Sequence, residues 1–228
     1  MHFSKFFSFV TLLMVTMGVA SAQQSQGNSV TVTSDDDDTP YELASQFSRF
    51  EIGESAMLLT DHSGCDFGIR AEILHAWRLN NAKAPFYFHL GIELNYNSST
   101  EIDNSDGDKR KSEENFLNFA IPANLSLNIP LSRRCCLELL TGLNFRLNVV
   151  GTFKVDSNKI NFLNEDYANH YQTGANFGVG VNFRRSSILY RFTKDFNDYF
   201  KSDLVNDYGD YLGSNRLMYH SISWGMTF

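Results

Sequence analysis

The sequence has few cysteines, few prolines and, after its first residues, no apolar run long enough for a transmembrane helix. Its cysteines, Cys65, Cys135 and Cys136, lack the CxxC spacing of structural zinc sites. A bridge between the adjacent Cys135 and Cys136 would be strained, and an odd number of thiols leaves at least one unpaired. We therefore expect neither a metal site nor a structural disulfide built on these residues.

Basic residues are also in short supply, with 19 Lys and Arg against 26 Asp and Glu and a net charge of -7. A chain of this sign is repelled by the phosphate backbone of nucleic acids and by anionic surfaces. The composition therefore argues against nucleic acid as a partner.

The N-terminal residues have the pattern of an export signal. Lys5 precedes the apolar run FFSFVTLLMVTMGVA, and Ala20-Ser21-Ala22 supplies the small residues of a cleavage site. An N-terminal membrane anchor is the alternative, but the run is short for a bilayer and no stop-transfer pattern follows it. We predict a signal peptide over residues 1–22.

Residues 23–48 are polar and include the acidic run Asp35–Asp38. Adjacent carboxylates repel one another and favour an extended, solvated chain. A cation tether is conceivable, but nothing in the segment fixes a ligand geometry. We predict a disordered periplasmic segment over 23–48.

Alternation of large apolar and small or polar residues dominates the sequence from residue 49 to 228, and FYFHLGIELNY at 86–96 is the clearest example. This period of two indicates β-strands. Strands of about 10 to 14 residues exceed the usual length in soluble proteins and suit a tilted membrane crossing. The predicted strands are 49–60, 66–78, 86–96, 116–129, 136–149, 173–183, 187–196 and 215–228.

After a short first connection, long and short connections alternate, as in an up-and-down barrel whose termini share the rim with the short turns. The sequence thus predicts an all-β fold: an eight-stranded antiparallel transmembrane β-barrel. The long predicted loops are 97–115, 150–172 and 197–214.

The polar face of these strands is rich in Gly, Asn, Ser and charges of both signs, as a narrow barrel interior requires. We therefore place His89, Gly91, Glu93 and Asn95 inside the barrel and the large residues against lipid. A soluble lipocalin-like barrel with an apolar interior is the alternative. Aromatic residues at predicted strand ends suit the girdles of a membrane barrel; these are Phe86, Tyr96, Phe116, Phe183, Tyr190, Trp224 and Phe228.

The order FLNFAIPANLSLNIPL, LELLTGLNFRLNVV and TGANFGVGVNF resembles the outer-membrane β-barrel family common in Bacteroidetes, over about residues 45–228. Its most recognisable marks are Ile121-Pro122, Gly142 and Gly178-x-Gly180, and the final Phe228 resembles the signal read by the outer-membrane assembly machinery. The resemblance implies a small porin-like barrel in the outer membrane of a Gram-negative bacterium and implies no activity. Pro122 lacks a ladder donor, so it predicts a bulge or irregular pairing.

Polar residues within the strands are candidates for a catalytic role. His89 and Glu93 lie about 13 Å apart along a strand, too far for a catalytic pair. They are expected to join a luminal network of ion pairs and hydrogen bonds. The other predicted members of this network are Arg70, Glu72, Glu138 and Arg146.

Two further groups of residues resemble known sites in part. His220 with Ser221 or Ser223 resembles the His and Ser of outer-membrane lipid hydrolases, but alternation puts the histidine and the serines on opposite faces. Asn104, Asp106, Gly107 and Glu113 partly fit a calcium loop, but Ile102 would occupy the first ligand position and strands flank the loop.

The sequence therefore predicts no catalytic, cofactor-binding or metal site and no cofactor. We expect a non-catalytic outer-membrane scaffold or surface-interaction protein that acts through its extracellular loops. An outer-membrane enzyme acting on lipid or peptide, or a lipocalin-like periplasmic carrier, are the alternatives. The expected partners are membrane lipid, the assembly machinery through Phe228, and a surface ligand or protein that the sequence does not identify.

Overall fold

A computed structural model describes residues 44–59, 65–103, 110–132, 134–155, 158–201 and 215–228. The predicted signal peptide and the acidic run Asp35–Asp38 lie outside these residues. No helix within the described ranges is long and apolar enough to cross a membrane.

Strands account for most of the described chain. They are β1 (Gln46–Leu59), β2 (Cys65–Arg78), β3 (Phe86–Asp103), β4 (Arg110–Pro130), β5 (Cys135–Val155), β6 (Asn158–Asn161), β7 (Tyr171–Phe183), β8 (Ser186–Asp195) and β9 (Leu217–Thr227).

Eight of these strands form a closed antiparallel barrel. Each pairs with its sequence neighbours, β5 pairs with β7, and β1 pairs with β9 to close the sheet. The short β6 pairs only with the far end of β5, at Thr152 to Val155. The predicted eight-stranded antiparallel barrel is confirmed, and β6 is an addition that the sequence did not predict.

The predicted strand bounds are least accurate at the rim with the longer connections. β3 continues to Asp103 and β4 begins at Arg110, so the predicted loop 97–115 is wrong over most of its length and forms a hairpin instead. β5 likewise extends to Val155, into the predicted loop 150–172. The β3 and β4 extensions have the sequences NSSTEID and RKSEEN, with Ile102 as their one large apolar residue, so they do not show the alternation that marks the rest of each strand. At the other rim, β1 begins at Gln46 rather than at residue 49.

The two faces of the barrel wall differ sharply in polarity. Glu51 and Arg70 are buried in the interior, with 0% and 1% of their surface exposed, whereas Phe67 and Ile222 on the outside are 70% and 62% exposed. His89, Glu93 and Asn95 are also buried, as predicted for the interior. The interior is therefore polar and the exterior apolar, and the lipocalin-like arrangement is wrong.

Phe116 departs from the predicted girdle. It is buried, at 3% exposure, and its ring centroid lies 5.6 Å from that of Tyr199. Phe116 shares its side of β4 with Asn118, which faces the interior, although the register between β4 and β5 shifts between Leu117 and Asn118. Alternation counted from Asn118 would have placed Phe116 inside.

Pro122 interrupts the pairing of β4 with β3. The ladder is regular at Leu90–Ala123 and at Glu93–Ala120, but the intervening residues of the two strands are not paired. On its other side Pro122 pairs regularly with Asn144. The predicted irregular pairing is confirmed and lies on the β3 side, where the ring nitrogen offers no donor.

Candidate functional site

The barrel interior holds a dense network of ionised side chains, and Arg70 on β2 lies at its centre. Its Nε donates to Oε2 of Glu93 over 2.8 Å and its Nη1 to Oε2 of Glu51 over 3.0 Å. Its Nη2 contacts Glu72. Three carboxylates from three consecutive strands thus converge on one guanidinium group.

Arg191 on β8 completes this cluster from the other side. Its Nη1 donates to Oε2 of Glu72 over 2.6 Å and to Oε2 of Glu93 over 3.3 Å. Its Nη2 lies 3.6 Å from Oε2 of Glu51. The two arginines share the three carboxylates, and such charge-assisted bonds offset the cost of burying ions.

A second pair lies between β1 and β5. Arg49 donates from Nη1 to Oε2 of Glu138 over 2.7 Å, and Asn182 donates to the same oxygen over 3.0 Å. His89 Nε2 lies 3.8 Å from Glu138 Oε1 and 2.8 Å from Ser126 Oγ. His89 therefore belongs to this pair rather than to the cluster around Glu93.

A third group lies between β4, β5, β8 and β9. Arg146 Nη1 donates to Oδ2 of Asp195 over 2.5 Å, and its Cζ lies 4.0 Å from the centre of the Tyr219 ring. Asn118 donates to the hydroxyl of Tyr219 over 3.2 Å. The aromatic face and the carboxylate together stabilise this cation.

Several of these contacts join strands that face each other across the barrel, with three strands between them on either side. Side chains that bond across the full width of the lumen occupy part of it at their level, and the interior of an eight-stranded barrel is narrow enough for side chains to fill. The pairs that cross in this way are Arg49–Glu138, Arg191–Glu93 and Asn118–Tyr219.

An apolar cap closes the rim with the longer connections. Its buried members are Met57, Phe116, Leu163, Ala168, Tyr199, Phe200, Leu217 and Tyr219. They come from the barrel wall and from the segments 162–170 and 196–201. Burial raises the pKa of the Tyr199 hydroxyl above its ordinary value.

The two capping segments are joined by backbone contacts. Asn169 N donates to Tyr199 O over 2.7 Å, and Lys201 N donates to Tyr167 O over 2.8 Å. The Lys201 ammonium also pairs with the carboxylate of Asp166, which lowers the pKa of that exposed carboxyl. The cap is therefore a bonded structure rather than a pair of independent loops.

A small sheet projects beyond the barrel at this rim. It is built from the far ends of β3, β4 and β5 and from β6. Its surface is charged: Glu113 on β4 pairs with Lys111 and lies 3.8 Å from Lys154 Nζ on β5. Lys111 and Lys154 are exposed, and Glu113 is partly exposed.

The opposite rim is closed by a smaller apolar layer. Leu74, Ala76 and Tyr87 are buried there and pack with Phe47. The Tyr87 hydroxyl donates to the carbonyl of Ala44 over 2.6 Å. Both ends of the charged interior are thus covered by apolar side chains.

The predicted luminal residues are in place, but the network is larger than predicted. Its unpredicted charged members are Arg49 and Glu51 on β1 and Arg191 and Asp195 on β8. On β1 the sequence does indicate which residues face inward, because Arg49 and Glu51 alternate with Phe50 and Ile52. The same alternation that assigns the faces of β3 would have found these two residues.

The histidine and serines of β9 are separated as predicted. His220 is half-exposed on the outer face, where Nδ1 lies 2.7 Å from the Tyr190 hydroxyl. Ser221 and Ser223 are buried in the interior, and Ser223 Oγ donates to Glu51 Oε2 over 3.2 Å. These side chains cannot form a nucleophile and its base.

The remaining candidates give no site in the described part of the chain. Asn104, Asp106 and Gly107 lie outside it, and Glu113 is engaged by lysines. All three thiols are free, with Cys136 buried and the other two half-exposed. Among the described residues no group of His, Cys, Asp and Glu is arranged to hold a metal ion.

No protein-family model matches the sequence, and no curated protein matches it. Solved structures similar to the chain include Neisserial surface protein A (NspA), 9% identical with a TM-score of 0.48, covering 81% of this chain and 98% of that one. Ail, the attachment invasion locus protein of Yersinia pestis, is 12% identical with a TM-score of 0.44, over 81% and 100% of the two chains. The outer membrane enzyme PagL is 9% identical with a TM-score of 0.42, over 79% and 98%. The fold assignment rests on the strand register of this chain.

Proposed function

We propose that this protein is an integral outer-membrane β-barrel that acts through the surface it presents outside the membrane, without catalysis and without a pore. The observation that carries the proposal is the contrast between the two faces of the wall. Large apolar side chains cover the outside, while ionised side chains bond across the inside.

The apolar exterior supports a membrane location. An open apolar surface extending over most of a barrel wall is unfavourable in water and matches hydrocarbon. Closure of the sheet leaves no unpaired edge in the spanning part, as a lipid environment demands. The short turns, such as Arg184-Arg185, then lie on the periplasmic side, together with the start of β1 and the end of β9.

The interior supports the absence of transport. The crossing ion pairs and the apolar layer at each end fill the space through which a solute would pass. An apolar carrier function is equally disfavoured, because the interior is charged. Enzyme activity is proposed to be absent because the serine–histidine contact of the interior, Ser126 with His89, is buried away from any substrate. The described residues also include no group arranged to hold a metal ion.

The bonded cap and the projecting sheet are the surfaces best suited to a partner. Both are held by backbone hydrogen bonds, so a ligand would meet a preorganised surface and lose little affinity to ordering. The sheet offers charges of both signs, whereas the cap exposes Tyr167 at its surface. We also propose that Phe228 at the end of β9 is read by the assembly machinery.

Fractionation tests the location. We expect the protein to stay in the membrane pellet after carbonate washing and to migrate differently on gels before and after heating. Release without detergent and an unchanged mobility would contradict the proposal.

The non-catalytic character has its own test. The mass profile of lipid A from cells with and without the gene should be identical. A changed acyl pattern would favour an outer-membrane enzyme instead.

A further inference from the structure

Glu54 is a carboxylate on the outer, apolar face of the barrel. It is exposed and lies within β1 between Ile52 and Ala56 on that face. It pairs across the sheet with Ile69 on β2 and Ile222 on β9, which are 60% and 62% exposed. The carboxylate is therefore surrounded by side chains that the proposed function places against lipid.

The Glu54 carboxylate makes no ion pair or hydrogen bond with any residue that the structure describes. All of the carboxylates in the central luminal cluster, by contrast, contact at least one arginine. An ionisable side chain facing hydrocarbon is costly and is normally paired with another polar group. A partner for Glu54 is therefore needed from outside the described chain or from a nearby side chain that moves.

The nearest candidate partner for Glu54 on this face is His220. It pairs with Ala56, the next outward residue on β1, so it is the diagonal neighbour of Glu54, offset by roughly 7 Å along the strand. Its Nδ1 is engaged by the Tyr190 hydroxyl at 2.7 Å. The other ring nitrogen, Nε2, makes no hydrogen bond within the described ranges.

The relief of this face suits a packed contact. Ala56 and Ala71 are small outward residues on β1 and β2. Ala56 lies opposite Phe67 and His220, and Ala71 lies opposite Ile52. Phe67 is 70% exposed, more than any other outward apolar residue of the described strands except Tyr171. Each small residue beside a large exposed one leaves a step in the surface, and a large side chain of an identical surface can pack into it.

We propose that two copies of the protein associate in the membrane through this face of β1, β2 and β9, with Glu54 of each copy paired with His220 of the other. Glu54 and His220 are adjacent on the same face, so a two-fold axis brings each beside its complement and forms both Glu54–His220 contacts at once. The inference rests on the proposed membrane location.

Cross-linking in vesicles tests the face. In a variant with Cys65→Ser, Cys135→Ser and Cys136→Ser, a single cysteine is introduced at Ala56 or, as the control, at Leu143. Leu143 is 50% exposed on β5, which lies opposite β1 in the barrel. In phosphatidylcholine vesicles a short bis-maleimide should cross-link the Ala56→Cys protein into dimers and leave the Leu143→Cys protein monomeric. Equal cross-linking at both positions would overturn the proposal.

Mixing two variants tests the pairing. Glu54→Gln and His220→Leu proteins each keep only Cys135 for a fluorescent label, and a dimer of either variant has neither Glu54–His220 pair. Removing each pair should weaken association about tenfold. A mixed dimer keeps one pair, between Glu54 of one variant and His220 of the other, so energy transfer between the two variants should exceed that within either one. If energy transfer between the two variants does not exceed that within either one, the Glu54–His220 pairing does not join two copies. That result would overturn the proposal.

The same samples separate this inference from the proposed function. Release of the wild-type protein by carbonate would contradict both the proposed membrane location and the self-association. Retention in the membrane with heat-dependent mobility, but with no cross-linking at Ala56→Cys, would leave the barrel in place and overturn only the self-association. Cross-linking of Ala56→Cys in cell membranes only to a different protein would also overturn it.

Discussion

Arg49 and Glu138 face each other across the barrel, and Nη1 of the arginine donates to Oε2 of the glutamate over 2.7 Å although the residues are 89 positions apart. Both side chains are almost completely buried, with 1% and 0% exposed. Removing one partner of such a pair leaves an uncompensated charge in a region of low dielectric constant. The stability of the barrel should therefore depend on the pair as a unit.

We predict that Arg49→Ala lowers the free energy of unfolding by about 3 to 5 kcal/mol, because it leaves Glu138 buried without its cation. Urea unfolding of the protein in lipid vesicles, followed by tryptophan fluorescence, measures the change. The paired replacement Arg49→Met with Glu138→Leu is the control and should be destabilised much less. A single variant as stable as the wild type would contradict a structural role for the pair.

Gly91 makes room for the charge cluster. A Cβ atom added there would lie 2.8 Å from Oε1 of Glu72 and 2.9 Å from the carbonyl oxygen of Ile73. We predict that Gly91→Ala costs about 1 to 3 kcal/mol of unfolding free energy, since the tight contact forces Glu72 and the strand to shift.

Gly178 supplies the matched control on β7. A Cβ atom there would approach the carbonyl oxygen of Tyr190 to 3.1 Å and side-chain carbons to 3.5 Å. Gly178→Ala should therefore cost less than Gly91→Ala in the same unfolding measurement. The reverse order would show that the packing around Gly91 is not limiting.

The cap should loosen in acid. Lys201 holds the pKa of Asp166 below its ordinary value of 3.8, so the pairing stabilises the cap above that value and disappears as the pH falls through the lowered pKa. Hydrogen-exchange protection of the Lys201 amide, which donates to Tyr167 O, should fall below about pH 4 in the wild type.

Asp166→Asn should remove this dependence and give lower protection at neutral pH. Asp198→Asn, which removes another exposed carboxylate 3.4 Å from Arg216, is the control and should keep the dependence. An Asp166→Asn protein whose protection still falls in the same pH range would contradict the assignment.

The lumen should not conduct ions. In planar bilayers we expect no steady conductance steps from the wild type, and none from Tyr199→Ala, because the crossing ion pairs remain after the cap is weakened. A steady conductance in the wild type would show that the interior is open. A conductance gained only by Tyr199→Ala would instead place the barrier in the cap.

Much of the fold follows from alternation alone. On β3 the sequence FYFHLGIELNY predicts both the strand and its faces, because nearly every inward residue is small or polar and each outward one is apolar. His89 and Glu93 are inside as expected, and their partners come from strands distant in sequence. Alternation identifies which residues face the interior but does not specify which of them contact one another.

The rest could not be predicted from that pattern. Both faces of a strand that projects beyond a barrel meet water, so the extensions of β3 and β4 carry no alternation and their sequence is typical of a loop. The cap could not be predicted from alternation for a related reason. Tyr199 and Phe200 are consecutive, and their burial depends on the return of their segment over the barrel mouth.

The orientation of the barrel wall is the central claim, and oxygen accessibility along β3 tests it most directly. Single spin labels at residues 88 to 95, in a protein without its native cysteines, are measured in vesicles by their relaxation with oxygen and with a water-soluble nickel complex. The structure predicts high oxygen accessibility at Phe88, Leu90, Ile92 and Leu94, and low accessibility to both reagents at His89, Gly91, Glu93 and Asn95. High oxygen accessibility at the second set, or no alternation along the strand, would contradict a barrel with a polar interior and a lipid-facing exterior.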